Sequence, residues 1–258
     1  MTSPADHRGL PPQSGASGRA VARRALRDNV HDMLLEKILD GSAPAGGSLS
    51  IDALARELEV SPTPIREALA QLEHTGLVSR VALKGYRVAP LMSQSELEEL
   101  FDMRMVLELA AAERAAPSAA TLLPDLRRAH AEHRLAAETV QELRQHGTEP
   151  HGFADLRAYF EADWGFHLAF FRASGNRFLL RTCESLGSHV QRLRQTANRG
   201  VLDMEEALEE HGRILTAFET GGTHDVVHAV REHLQAVTRR ATADNEVLRK
   251  SPEEPAAR

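Results

Sequence analysis

The chain has a single cysteine, Cys183, in 258 residues. That excludes an internal disulfide framework and any cysteine-rich zinc site, and it suits a reducing compartment. Long apolar runs are missing, so no segment is expected to span a bilayer. The opening MTSPADHRGLPPQSGASG lacks the apolar core of a signal peptide, and the expected location is the cytoplasm. Aromatic residues are only 4% of the chain. Ala, Leu, Glu and Arg dominate instead, which favours helices over strands. Excess positive charge is also absent, the formal net charge being −6. Residues 1–90 hold 11 basic and 10 acidic side chains and the rest of the chain 20 and 27, so any contact with phosphate must come from a local patch in the first part.

Pro, Gly and Ser mark residues 1–18 as a disordered tail, and 244–258 reads the same way. Between them the pattern divides in two. Over 19–39 the residues Val21, Leu26, Val30, Met33, Leu34 and Ile38 recur at helical spacing, and the breakers of DGSAPAGGSL follow as a loop. Ser50 is placed to cap IDALARELE, and Ser61 to cap a helix with Pro62 and Pro64 in its first turn. Ile65, Ala68, Leu69 and Leu72 form that helix's apolar stripe, and Gly76 ends it. Residues 77–88 read as two short strands around Leu83-Lys84-Gly85. Three helices and a hairpin within 19–90 predict a winged helix-turn-helix domain. Residues 93–243 show helical patterns only, over 93–116, 118–146, 151–173, 176–197, 203–220 and 222–243. This predicts an antiparallel six-helix bundle with room for a site in its core, and a mainly α fold for the whole chain.

In a helix-turn-helix the second helix lies in the major groove with its N-terminal residues at the bases. Here that end carries Ser61, Thr63 and Arg66; Lys84 and Arg87 on the hairpin would reach the backbone or minor groove, and Gly85 would let the tip approach closely. Spacing alone also allows Arg66 and Glu67 to be an ordinary solvated face. The wording of the segment is more specific: VS-x-TP-x-REAL-x-x-LE-x-x-GLV within 20–90 resembles the N-terminal domain of the GntR family of bacterial regulators. The resemblance implies a dimer that reads palindromic operator DNA, with Ser61, Thr63, Arg66, Lys84 and Gly85 at contact positions. The family usually carries arginine at the place of Pro62 and often a polar or basic residue near Asp52, so the operator or the affinity is expected to depart from the family norm.

Most of the 13 histidines read as solvated. His7, His31, His74, His130, His133, His146, His151, His224 and His228 fall in tails, loops or mixed helix faces, and His189 reads as either core or pocket. In FEADWGFHLAFF, Asp163 and His167 are four apart and share a helix face near Phe160, Phe170 and Phe171. A buried Asp–His hydrogen bond would account for that pair alone. His211 lies ten residues before Gly221 and His233 eleven after Gly222, so in a helical hairpin both stand roughly 15 Å from the turn and can meet. One carboxylate and three imidazoles suit Zn, Ni, Mn or Fe with positions left open for a ligand. Two alternatives remain at this point: a metal-free pocket in which the histidines pair with one another, and a metal-dependent enzyme. No residue stands out as an independent nucleophile or base, and a fused DNA-binding domain argues against catalysis.

DWGFH, the ASGN at 173–176, the H-x-x-I-L at 211–215 and the HL at 233–234 resemble the FCD effector domain of FadR-like GntR regulators, over about 95–240. The resemblance implies a divalent metal on Asp163, His167, His211 and His233 and a small organic acid as effector. Arg104 and Glu108 match the R-x-x-x-E of that domain's first helix. Arg104 and Asn176 are accordingly expected to contact the ligand, although an i,i+4 surface pair also explains Arg104 and Glu108. The implied function is a ligand-responsive regulator, a repressor by family habit, and not an enzyme.

Overall fold

The computed structural model describes residues 14–82, 85–90, 92–146, 153–196 and 203–250. Its N-terminal part comprises helices α1 (Ser14–Leu39), α2 (Ile51–Glu57) and α3 (Pro62–His74), with strands β1 (Ser48–Leu49), β2 (Val78–Val81) and β3 (Gly85–Val88). Ser50 caps α2 by accepting from the Ala53 N–H. Pro62 opens α3, where a missing N–H costs nothing. Ser61 supplies the extended backbone of the N-cap but makes no side-chain capping bond, so its hydroxyl is left to other partners. The stripe Ile65, Ala68, Leu69 and Leu72 is fully buried against Val30, Leu34 and Ile38 of α1. Gly76 takes φ +73 to end the helix turn, a conformation that favours glycine.

The wing is a hairpin with register Val78↔Val88 and Val81↔Gly85. The loop expected at 40–49 contributes a strand as well. Ser48 and Leu49 pair with Arg87 and Tyr86, giving the order β1-β3-β2. Two residues are too short for a period-2 pattern, and pairing with β3 supplies what the local sequence cannot. Gly85 sits at φ +90, where a Cβ would lie 2.9 Å from the Leu49 carbonyl oxygen.

The second part consists of α4 (Gln94–Ala115), a 3-10 turn (Ala116–Ser118), α5 (Ala119–Gln145), α6 (Phe153–Ala173), α7 (Arg177–Thr196), α8 (Met204–Thr220) and α9 (Thr223–Lys250). Ser93 and Glu96 form a reciprocal capping box at the start of α4. The six helices make the expected bundle around Ala111, Leu126, Phe166, Phe170, Ile214, Phe218, Val230 and Leu234. Helix enters both stretches read as tails, since α1 begins at Ser14 and α9 runs to Lys250. Among the described residues, no helix is long and apolar enough to cross a membrane.

The two parts share a core. Leu39, the last residue of α1, is buried in one apolar cluster with Val140 of α5, Tyr159 and Phe160 of α6 and Met204 of α8, and Leu35 packs against it. Beside this cluster Arg157 of α6 pairs with Glu36 of α1 at 3.9 Å. His189 of α7 approaches the turn at Gly76, so it belongs to the seam between the parts and not to the bundle interior.

Candidate functional site

The bundle interior is where polar side chains interrupt otherwise apolar helix faces. Asp163, His167, His211 and His233 are all buried, at no more than 1% exposure. The α8–α9 hairpin brings His211 and His233 level, their ring centroids 4.8 Å apart. His167 of α6 stands 5.0 Å from the first ring and 5.1 Å from the second. His211 Nε2 and His167 Nε2 are 3.2 Å apart, and Asp163 Oδ1 lies 3.9 Å from His211 Nε2. One nitrogen from each of the three rings falls within a sphere where all are less than 4.8 Å from one another. The mirrored spacing about the Gly221-Gly222 turn therefore does bring the two imidazoles together.

Buried carboxylates hold two of these rings from behind. His167 Nδ1 is 2.6 Å from Glu108 Oε2, and His233 Nδ1 is 2.8 Å from Glu210 Oε2. A carboxylate can only accept, so each Nδ1 carries the proton and each Nε2 presents its lone pair inward. His233 Nε2 has no hydrogen-bond partner among the described residues. Convergent imidazole lone pairs in a buried site, two of the rings oriented by outer carboxylates, are the donor set a divalent metal needs. The residues present fit such an ion.

The outer carboxylates are themselves charge-compensated. Burial alone would raise the Glu108 pKa. Arg104, whose Nε donates to Glu108 Oε1 at 2.8 Å, and His167 together hold it instead at about 2. Burial opposes ionisation of Glu210 in the same way, but His233 and the Arg240 guanidinium hold it also at about 2. Arg240 bonds both Glu210 oxygens at 2.7 and 3.0 Å and reaches Asp203. Burial depresses His233 below its ordinary 6.5, against the raising effect of Glu210. All three groups have folded values below their unfolded ones, so each stabilises fully above the unfolded value and less as pH falls. The metal-free protein is accordingly expected to hold a constant Tm from pH 8 to about 6.5. The Tm then declines as His233 must charge, and declines again below 4.5 toward 2 as Glu108 and Glu210 protonate. A Tm that stays level from pH 7 to pH 3 would contradict this arrangement.

Arg104 is the second notable group. It is 1% exposed and forms a buried i,i+4 pair with Glu108, not the surface pair that spacing alone allowed. Its guanidinium carbon lies 5.6 Å from the Phe101 ring centre and 5.7 Å from that of Trp164. Nη1 and Nη2 have no hydrogen-bond partner among the described residues. Arg104 thus holds two buried donors in fork geometry, linked to His167 through Glu108. Asn176, the other expected ligand contact, accepts from the N–H groups of Phe178 and Leu179 and so caps α7.

His133 corrects the sequence reading. It is fully buried on α5, not solvated. Its ring lies 4.8 Å from that of Tyr159, its Nδ1 is 3.1 Å from His211 Nδ1, and its Nε2 is 3.8 Å from Asp163 Oδ1. The stripe Leu126, Ala129, His133, Ala137 and Val140, buried at helical spacing, is the signal that would have found it. Of the other histidines, His224 and His228 are exposed as expected.

On the N-terminal part, Ser61, Thr63 and Arg66 are all exposed at the first turns of α3. Gly85 starts β3, and Lys84 lies outside the described residues. Arg87 is exposed on β3, and its Nη1 donates to the Gly46 carbonyl at 2.9 Å, tying the wing to the preceding loop.

A winged helix-turn-helix head joined to a helical bundle with a polar core defines a transcriptional regulator with an effector domain. The chain matches the bacterial regulatory proteins of the gntR family over residues 19–88 and the FCD domain over 99–236. It is 30% identical over 173 residues to the probable D-xylose utilization operon transcriptional repressor of Paenarthrobacter nicotinovorans, covering 67% of this chain and 70% of that protein. It is 39% identical over 75 residues to the HTH-type transcriptional repressor GlaR of Escherichia coli K12, covering 29% of this chain and 34% of that one. Among solved structures, E. coli McbR/YncC aligns with TM-score 0.63 at 22% identity, over 84% of this chain and 97% of that one. A GntR regulator from Rhodococcus sp. RHA1 aligns with TM-score 0.63 at 19% identity, over 85% and 98%. The chain belongs to the GntR family and carries an FCD domain. It is a transcriptional regulator and not an enzyme.

Proposed function

We propose that the protein binds operator DNA as a homodimer and responds to a small organic acid that enters a metal-containing pocket in the helical bundle. Ser61, Thr63, Arg66, Lys84 and Gly85 are the DNA contacts in this reading. Asp163, His167, His211 and His233 hold a divalent metal, with Zn, Ni and Mn the ions that suit the donors. Such an ion supplies a fixed positive charge and open coordination positions for an anionic ligand. Arg104 supplies the second cation, and its Nη1 and Nη2 donate two parallel hydrogen bonds to a carboxylate. Repression is the assigned sign, in keeping with two relatives whose names describe repressors.

The single observation that carries the reading is the buried convergence of three imidazoles near an arginine whose terminal nitrogens have no hydrogen-bond partner among the described residues. An effector acts on DNA binding only by as much as its affinity differs between two arrangements of the dimer. The test is a fluorescence-anisotropy titration of operator DNA with metal-loaded protein in the presence of a panel of short mono-, di- and hydroxycarboxylic acids. At least one acid is expected to shift the midpoint. Arg104→Met, which also leaves Glu108 without its arginine behind His167, is expected to abolish that shift when assayed at saturating metal, with bound metal measured in the same sample. A panel without effect, or an unchanged response in Arg104→Met, would return the pocket to another ligand class.

A further inference from the structure

Each of the three histidines that point Nε2 into the centre needs a group behind it to take the Nδ1 proton. Glu108 does this for His167 and Glu210 for His233. At His211 the Nδ1 faces another imidazole nitrogen, His133 Nδ1, at 3.1 Å. With Nε2 of His211 given to a metal, its Nδ1 must carry the proton and donate it. His133 must then accept on Nδ1, which fixes it as the neutral tautomer with its own proton on Nε2. That Nε2 lies 3.8 Å from Asp163 Oδ1.

We infer that His133 is a positioning residue of the centre, the neutral outer acceptor that fixes the tautomer and orientation of His211. It occupies the place that a carboxylate fills behind the other two rings. The inference rests on the metal-centre reading above and goes beyond it, because the four ligands expected from the sequence do not include His133. The setting supports the role: the ring is wholly buried, it packs on Tyr159, and His211 is held by stacking on Phe166 with ring centroids 4.1 Å apart. A direct bond from His133 to the ion is the competing assignment, since His133, Asp163 and His211 also offer ligand atoms within 4.8 Å of one another.

Three full-length proteins separate these possibilities: wild type, His133→Phe, which keeps a ring but cannot accept, and His133→Gln, which keeps an acceptor. Zinc affinity is read by chelator competition and coordination by the visible spectrum of the cobalt(II)-loaded protein. Outer-acceptor loss typically costs about 10–100-fold in metal affinity, which is the expected fall in His133→Phe. His133→Gln is expected to recover most of that fall with the cobalt spectrum unchanged. Zinc affinity in His133→Phe equal to wild type would overturn the inference, as would a change of cobalt coordination in His133→Gln. One measurement needs no variant: a long-range proton–nitrogen correlation spectrum of zinc-loaded wild type is expected to show His133 protonated on Nε2 and bare on Nδ1. Protonation on Nδ1, or a nitrogen shift characteristic of metal ligation at His133, would overturn it. Wild-type protein that takes up no zinc or cobalt would overturn the metal-centre reading itself, an outcome distinct from the others.

Discussion

His211→Ala is expected to lower zinc affinity by more than the roughly 100-fold that marks the upper end for outer-shell changes. His211 is the ring around which the centre is assembled. Its Nε2 faces His167 Nε2 and Asp163, its Nδ1 faces His133, and its plane stacks on Phe166. Removing it takes away an inward donor and leaves the rings on either side without their common neighbour. The same substitution opens a cavity in a fully buried position, which costs stability independently of any metal. Thermal melts of metal-free wild type and variant measure that second effect alone, and chelator competition on folded protein measures the first. A variant that folds and holds zinc as tightly as wild type would remove His211 from the ligand set.

Arg66→Ala is expected to weaken binding to the operator selected by the wild-type protein by about 5- to 150-fold, the worth of one good bidentate base contact at 1–3 kcal/mol. Arg66 is exposed on the same end of α3 as Ser61 and Thr63, while the opposite face of that helix is committed to the core. The helix can therefore lose the guanidinium without loss of fold. Glu67→Ala serves as the matched control. It removes an exposed acidic group next along the helix, and a DNA contact through Arg66 predicts no comparable loss there. Equal affinities for wild type and Arg66→Ala, measured at the same salt concentration, would count against α3 as the reading helix.

The parts of the fold that were legible in the sequence are those governed by local chemistry. Pro62 and Pro64 before Ile65-x-x-Ala68-Leu69-x-x-Leu72, and Gly76 after them, mark a helix's start, buried face and end without reference to anything distant. The symmetric placement of His211 and His233 about a turn is likewise a spacing argument, and their rings stand 4.8 Å apart; Asp163 lies near His133 and His211, and the group that gathers His167, His211 and His233 does not include it. What was not legible depends on partners far along the chain. His133 lies on a helix whose other surface carries exposed charges, and His211, 78 residues away, gives it a role. Glu108 and Glu210 look like solvated members of charged helices until His167 and His233 are placed against them. Strand β1 exists because β3 lies beside it. In each case the role came from a tertiary pairing; for His133 the apolar stripe of α5 marks burial but not the partner.

Leu39 ends a helix of the DNA-binding part but is buried among side chains of α5, α6 and α8. Burying a leucine is worth about 1.5–3 kcal/mol, so a displacement of α6 either uncovers that residue or carries the end of α1 with it. Tyr159 stands in the same cluster and against His133. Close-packed contacts of this kind switch between discrete arrangements and do not stretch. Mechanically, a joint packed in this way would act as a detent and not a hinge, yielding by a step.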